Sequence, residues 1–122
     1  MIVISDSLAG SIIPASVIFH ALSGVAGTAW TVVELDVTGD LSLLHPGNVD
    51  AINRSLPLNV TWHWLETFST LVDDIEWLKV IGVDQSGRPL QVSCVDSTVW
   101  EVAGAPDLEA SLRGHFHDVT DA

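Results

Sequence analysis

Residues 60–84 read VTWHWLETFSTLVDDIEWLKVIGVD, and the apolar period of this stretch changes half-way along it. In the first half, apolar side chains recur at the spacing of one helical face, at Trp64, Phe68, Leu71 and Ile75. Thr61 is a candidate N-cap for this helix, which we expect to end near Asp73. From Ile75 to Asp84 both alternating sets of positions are largely apolar, which is typical of a central strand.

The chain before residue 60 carries both strand and helix signals. Met1–Ser5 and Ala29–Thr38 are predicted strands, and the second should place Val33, Leu35 and Val37 on one face. Residues 12–23 combine helical spacing with β-forming side chains, so a helix and a strand both remain open there. Asn48 is a candidate N-cap for a short helix.

The chain after residue 84 predicts a meander and a last helix. Residues 85–88 (QSGR) form a loop of hairpin length, in which Gly87 suits a left-handed conformation. Strands are predicted at Pro89–Asp96 and Val99–Val102, and a helix at Pro106–Arg113. The last eight residues are interpreted as a tail or an edge strand. Together these elements predict one α+β domain over residues 1–122, with a mostly antiparallel sheet of four to six strands and two to four helices packed largely on one face.

The charge balance is strongly acidic. Sixteen Asp and Glu oppose four Lys and Arg, for a formal net charge of −12. Such a field repels nucleic acid, so a nucleic-acid partner is not expected, whereas a basic partner would be steered towards it. Solubility and adaptation to high salt are alternative reasons for the acidity, although the many large apolar residues argue against the second.

The chain is expected to be cytoplasmic, with no membrane association. No Asp, Glu, Lys or Arg occurs from Ser7 to Val33, but Asp6 precedes this run where a signal peptide would have a basic residue. Pro14, Gly24 and several serines also interrupt it. The single cysteine, Cys94, permits no disulfide within the chain, in keeping with a reducing compartment.

A candidate partner-binding site lies at the junction between the predicted helix and the predicted strand. Asp73, Asp74 and Glu76 crowd this junction, and Glu66 precedes it by about two turns. Carboxylates near a helix C-terminus oppose the helix dipole, so they either sit in a solvated turn or serve to bind cationic groups. Trp62 falls about 200° from Trp64 on an ideal helix, which predicts that Trp62 is exposed and available as an anchor.

No residue pattern indicates catalysis, a metal or a cofactor. Cys94 lies in an apolar strand, which favours a buried, unreactive thiol. His115 and His117 would point the same way on a strand, but their spacing implies no third metal ligand. The sequence contains neither a GxSxG nor a phosphate-binding loop. We therefore predict no catalytic residues, no metal and no cofactor.

These patterns lead to three functional hypotheses. The first is a small acidic binding protein that neutralises a basic partner, such as an immunity protein or antitoxin acting on a nuclease-type toxin. The second is a small enzyme or ligand-binding domain with a pocket between helix and sheet. The third is an accessory or structural subunit that dimerises through surplus apolar surface, since 48% of the residues are hydrophobic.

Overall fold

The computed structural model describes residues 1–8 and 10–121. Within them, helices span Ala15–Leu22 (α1), Asn48–Arg54 (α2), Trp62–Leu71 (α3) and Pro106–His115 (α4). Strands span Ile2–Ile4 (β1), Ser7–Leu8 (β2), Ser11–Ile12 (β3), Ala26–Gly39 (β4), Leu58–Thr61 (β5), Val72–Asp84 (β6), Pro89–Val95 (β7), Val99–Ala103 (β8) and Val119–Asp121 (β9). The sheet order is β5–β4–β6–β7–β8–β1–β9, and β2 pairs with β3 separately.

The α+β class and the antiparallel sheet are confirmed, but the sheet is larger than predicted. Seven described strands join it, against the four to six expected, because two edge strands add to the predicted ones: β5 pairs with β4, and the last residues form β9 beside β1. The open question at residues 12–23 is resolved as a helix, α1, with Pro14 at its N-cap. The buried residues of all four helices belong to one core cluster with the buried side of the strands.

Helix α3 begins where Thr61 caps it, but its buried face differs from the prediction. The Thr61 hydroxyl accepts from the Trp64 backbone N–H at 3.1 Å. Trp62 is only 7% exposed, while Trp64 is half-buried and stacks on Phe68. The expected exposure of Trp62 is therefore wrong. The core stripe of α3 consists of Trp62, Leu65, Phe68 and Ser69, because β5 leads directly into the helix and directs its first residue against the core.

Strand β4 lies inside the sheet between β5 and β6, and a bulge divides its faces. Val32 pairs with Val80 and Glu34 with Lys79, so Val33 has no opposite residue on β6. Because a bulge places one extra residue in one strand, the inward set shifts by one position there. On either side of this bulge the core residues of β4 are consequently Trp30 and Val32, then Leu35 and Val37. The predicted face of Val33, Leu35 and Val37 is therefore wrong at Val33, which is only half-buried.

Strand β6 is central, as predicted, and its register is also shifted. Asp36 pairs with Trp77 and Val37 with Ile75, which leaves Glu76 as the extra residue. Ile75 therefore faces the core together with Leu78 and Val80, whereas Trp77 turns to the opposite side and is 39% exposed. A regular two-residue alternation would place Trp77 on the same face as Ile75, but the alternation does not continue across a bulge.

The end of β4 lies against the junction of α3 and β6. Gly39 has a φ of +138°, and a Cβ there would lie 2.9 Å from the Asp73 backbone nitrogen and 2.9 Å from the Leu71 carbonyl oxygen. Only glycine fits so close a backbone approach. Strand β6 begins at Val72, directly after the helix, so Asp73, Asp74 and Glu76 lie in a strand and not in a turn.

The β6–β7 hairpin closes as predicted, around a buried carboxylate. Gly87 has a φ of +81°. Asp84 is buried and accepts from the backbone N–H groups of Ser86 and Arg88 and from Arg88 Nε, at 2.9–3.0 Å. The Arg88 guanidinium also donates to Asp107. These donors, the Arg88 backbone N–H first, hold the pKa of Asp84 below its ordinary value although burial acts in the opposite sense.

Replacing Trp62 by phenylalanine should cost less stability than the same change at Trp30. Trp30 Nε1 donates to the Gly27 carbonyl at 2.8 Å, whereas among the described residues Trp62 Nε1 has no hydrogen-bond partner. W30F leaves a buried acceptor unpaired, which adds about 1–3 kcal/mol. Trp62→Ala should cost about 3–5 kcal/mol through the cavity it creates. Urea unfolding measures all three, and equal costs for the two phenylalanine variants would contradict this account.

The buried carboxylate of Asp84 should make the stability of the protein depend on pH. Because the folded pKa of Asp84 is lowered, its contribution is present above the unfolded value of about 3.9 and is lost as pH falls through the folded pKa. The loss in free energy of unfolding caused by Asp84→Asn should therefore be largest near neutral pH and shrink below about pH 4. Chemical denaturation from pH 7 to 3 tests this, with the exposed Asp50→Asn as the control for loss of one charge.

Candidate protein-binding surface

The side of the sheet opposite the core, here called the outer face, is not covered by the described helices in its centre. Along β6 it presents Trp77, Lys79, Ile81 and Val83, of which Trp77, Ile81 and Val83 are at least 36% exposed. The outward neighbours in register on β4 are Asp36, Glu34 and Thr31. This face is therefore a continuous strand surface with large apolar side chains in contact with solvent.

One end of the outer face, the acidic end, is a tryptophan surrounded by carboxylates. Trp77 Nε1 donates to the Glu34 carboxylate. Asp36 is the register partner of Trp77, and it lines a depression of about 250 Å³ together with Asp74 and Glu76. An exposed indole beside several carboxylates offers both a π face and anionic oxygens to a cation.

The carboxylate of Glu76 reaches this region from a bulge that interrupts the ladder. Within β6, Asp73, Glu76 and Val83 have no register partner on β4, and of these Glu76 lines the depression at the acidic end. Ser97 holds the Glu76 bulge from the β7–β8 turn: its N–H donates to the Glu76 carbonyl, and its hydroxyl lies 3.0 Å from both the Ile75 carbonyl and the Glu76 carboxylate. Bulges commonly re-aim side chains at functional surfaces.

Among the described residues, none of the ion pairs involves a carboxylate of the acidic end. Arg88 pairs with Asp84 and Asp107 beside the β6–β7 hairpin, and Arg113 pairs with Asp121. Lys79 is the register partner of Glu34 and is the one basic residue on β6. Asp36, Asp74 and Glu76 thus remain accessible to cations from outside the molecule.

The predicted site residues are only partly brought together. Asp74 and Glu76 share the depression at the acidic end. Asp73 is exposed and lines a second depression of about 250 Å³ with Pro14, Ser69 and Trp100. Glu66 is half-buried on α3 and lines neither depression, and Trp62 is buried against Phe19 and Trp30.

The residues that sequence reasoning missed are Trp77, Glu34 and Asp36. In a regular two-residue alternation, Trp77 would share the face of Ile75. A usable signal was present, since Glu34 and Asp36 flank Leu35 on one face of the predicted β4 strand. What could not be seen was that the register would place those carboxylates beside Trp77.

Cys94 is buried beneath the acidic end, in surroundings that disfavour the thiolate. Burial above all, with a contribution from the charges of Asp74 and Glu76, raises the pKa of Cys94 to about 11. Its Sγ lies 3.8 Å from the Ile75 carbonyl oxygen. The predicted burial of this cysteine is confirmed.

The histidines near the C-terminus lie beside a docked segment. The Asp6 carboxylate accepts from the backbone N–H groups of His117 and Asp118, at 2.8 and 2.6 Å, and so fixes the approach to β9. Across the described residues no three His, Cys, Asp or Glu side chains are grouped so that they could hold a metal ion. Nor does any described helix have the length and apolar run required to cross a bilayer.

Comparison with known proteins does not assign this chain to a family. No protein-family model, no curated protein and no solved structure matches it.

Cys94 should resist alkylation in the native state. With a pKa of about 11 and a buried side chain, very little accessible thiolate exists near neutral pH. Iodoacetamide labelling at pH 7.5, followed by mass spectrometry, should therefore proceed only on unfolding. The same protein in denaturant is the control, and native labelling at the rate of an unfolded cysteine would contradict the assignment.

Proposed function

We propose that this chain is a small acidic cytoplasmic binding protein that neutralises a basic protein partner, in the manner of an immunity protein or antitoxin for a nuclease-type toxin. The observation that carries the proposal is the exposed Trp77 among the carboxylates of Glu34, Asp36, Asp74 and Glu76. A nuclease must present cationic groups to hold nucleic acid, so an anionic face can occupy the same groups.

The energetics favour binding through this face over a purely solvating role. A cation over an indole contributes about 0.5–2 kcal/mol, and more as water is excluded. The net charge of −12 attracts a basic partner over longer distances and raises its association rate. Trp77, rather than the buried Trp62, is the aromatic anchor of this proposal.

The alternative of a small enzyme or ligand-binding domain has less support. It would be favoured by a deep pocket in which Trp62 or Trp100, His63 and a buried carboxylate converge. Instead Trp62 is packed in the core, His63 is exposed, and the depression lined by Trp100 is about 250 Å³, below the ~300–1,000 Å³ usual for ligand pockets. The buried carboxylate, Asp84, accepts hydrogen bonds within the β6–β7 hairpin.

The proposal is tested by removing charge from the acidic end without changing shape. The triple variant Asp36→Asn, Asp74→Asn, Glu76→Gln should bind a partner co-purified from the native host more slowly, by on the order of tenfold at low salt. Its association rate should also depend less steeply on salt, since fewer charges steer the encounter. Stopped-flow or surface-based kinetics at several ionic strengths provide the measurement.

A matched control separates this face from net charge. Asp50→Asn, Asp118→Asn and Asp121→Asn also remove three exposed carboxylates, but none of these lies at the acidic end. The control should retain most of the parental association rate. If both triple variants slow association equally, the acidic end is not the binding site; if neither slows it, the proposal of an electrostatic partner fails.

A further inference from the structure

The other end of the outer face is a neutral groove of about 720 Å³. Its outward side chains come from neighbouring strands: Ala29 and Thr31 of β4, Ile81 and Val83 of β6, Gln91 of β7 and Ala103 of β8. None of the described residues that line it is charged. Its volume lies within the ~300–1,000 Å³ usual for binding pockets, so this groove is the natural place for an apolar group.

The groove and the acidic end belong to one strand surface at a defined separation. Trp77 and Ile81 both point outward from β6 and are four residues apart, which corresponds to about 13 Å along a strand. Thr31, Ile81, Gln91 and Ala103 follow one another in register across the sheet. Lys79 lies between the two ends, opposite Glu34 on one side and Ser93 on the other.

A second copy of this chain is a poor occupant of the groove. Two outward rows across four strands cover an area on the order of 300 Å². A stable interface needs about 800 Å² from each partner. Two such molecules also each carry a net charge of −12, so like-charge repulsion opposes their association.

We infer that the outer face binds one extended basic–apolar segment of the partner, with a cationic side chain at the acidic end and an apolar side chain four residues further on in the groove. This inference rests on the proposed function and specifies the partner's chemistry. Side chains at positions i and i+4 of an extended chain lie on one side about 13 Å apart, which matches the separation of the two subsites. The residue between them, at i+2, faces Lys79 and is therefore not cationic.

Synthetic peptides test the inference on the native protein. The probe is a blocked serine/threonine decapeptide that carries arginine at one position and leucine four residues later. Leucine→serine in the peptide should weaken binding by about tenfold, because the buried leucine side chain is lost. Moving the arginine to the i+2 position should weaken it as well. Titration followed by ¹H–¹⁵N NMR should show shifts at both Trp77 and Ile81.

Two protein variants locate the apolar contact. Ile81→Thr keeps the β-branched shape of an exposed strand residue. With this variant, the leucine peptide should bind less than twofold more tightly than the serine peptide. Val17→Thr alters an apolar residue of similar exposure on α1 and should leave the preference for the leucine peptide unchanged; the two side chains are 40% and 41% exposed. Far-ultraviolet circular dichroism of both variants checks that the fold is retained.

The outcomes distinguish this inference from the function on which it rests. If arginine and the acidic carboxylates govern binding but the leucine and Ile81 do not, the segment model is overturned while the charge-based function stands. If the leucine matters but the arginine and the carboxylates do not, the groove binds apolar molecules independently and both proposals fail. A dimer that Ile81→Thr dissociates, seen by light scattering, would also overturn the segment model.

Discussion

The antiparallel pairing of β4 with β6 is the constraint on which the rest of this structure depends. Both strands are long and lie inside the sheet, and each carries a residue without an opposite partner, Val33 in β4 and Glu76 in β6. Each bulge reverses which side chains face the helices. The core residues of β6 on either side of its bulge, Ile75 and Leu78, pack on the same side because of this reversal.

The same pairing determines the chemistry of the outer face. With the register shifted at Glu76, Trp77 leaves the core and meets Glu34 and Asp36 of the neighbouring strand. The Ser97 backbone N–H donates to the Glu76 carbonyl, and its hydroxyl donates either to the Ile75 carbonyl or to the Glu76 carboxylate, so the irregular backbone is supported by the adjacent turn. The feature that interrupts the sheet ladder thus also assembles the candidate binding surface.

Charge and apolar surface are separated along this face. Trp77 and its surrounding carboxylates lie at one end, the uncharged groove lined by Ile81 and Val83 lies at the other, and Lys79 stands between them. Such a division suits recognition in which electrostatic attraction accelerates encounter and burial of an apolar group adds residence time. The ion pairs of Arg88 have a different role: they stabilise the β6–β7 turn around buried Asp84.

Composition and periodicity were enough to establish the α+β class, the central position of β6, the tight hairpin at Gly87 and the burial of Cys94. These properties depend on local spacing and on total apolar content, which are present in the chain itself. The sequence predicted Trp62 as the exposed tryptophan, whereas in the fold Trp62 is buried and Trp77 is exposed. Which tryptophan is exposed depends on where bulges fall and on which strand precedes a helix, and both are set by contacts between residues far apart in sequence, such as Trp77 with Glu34.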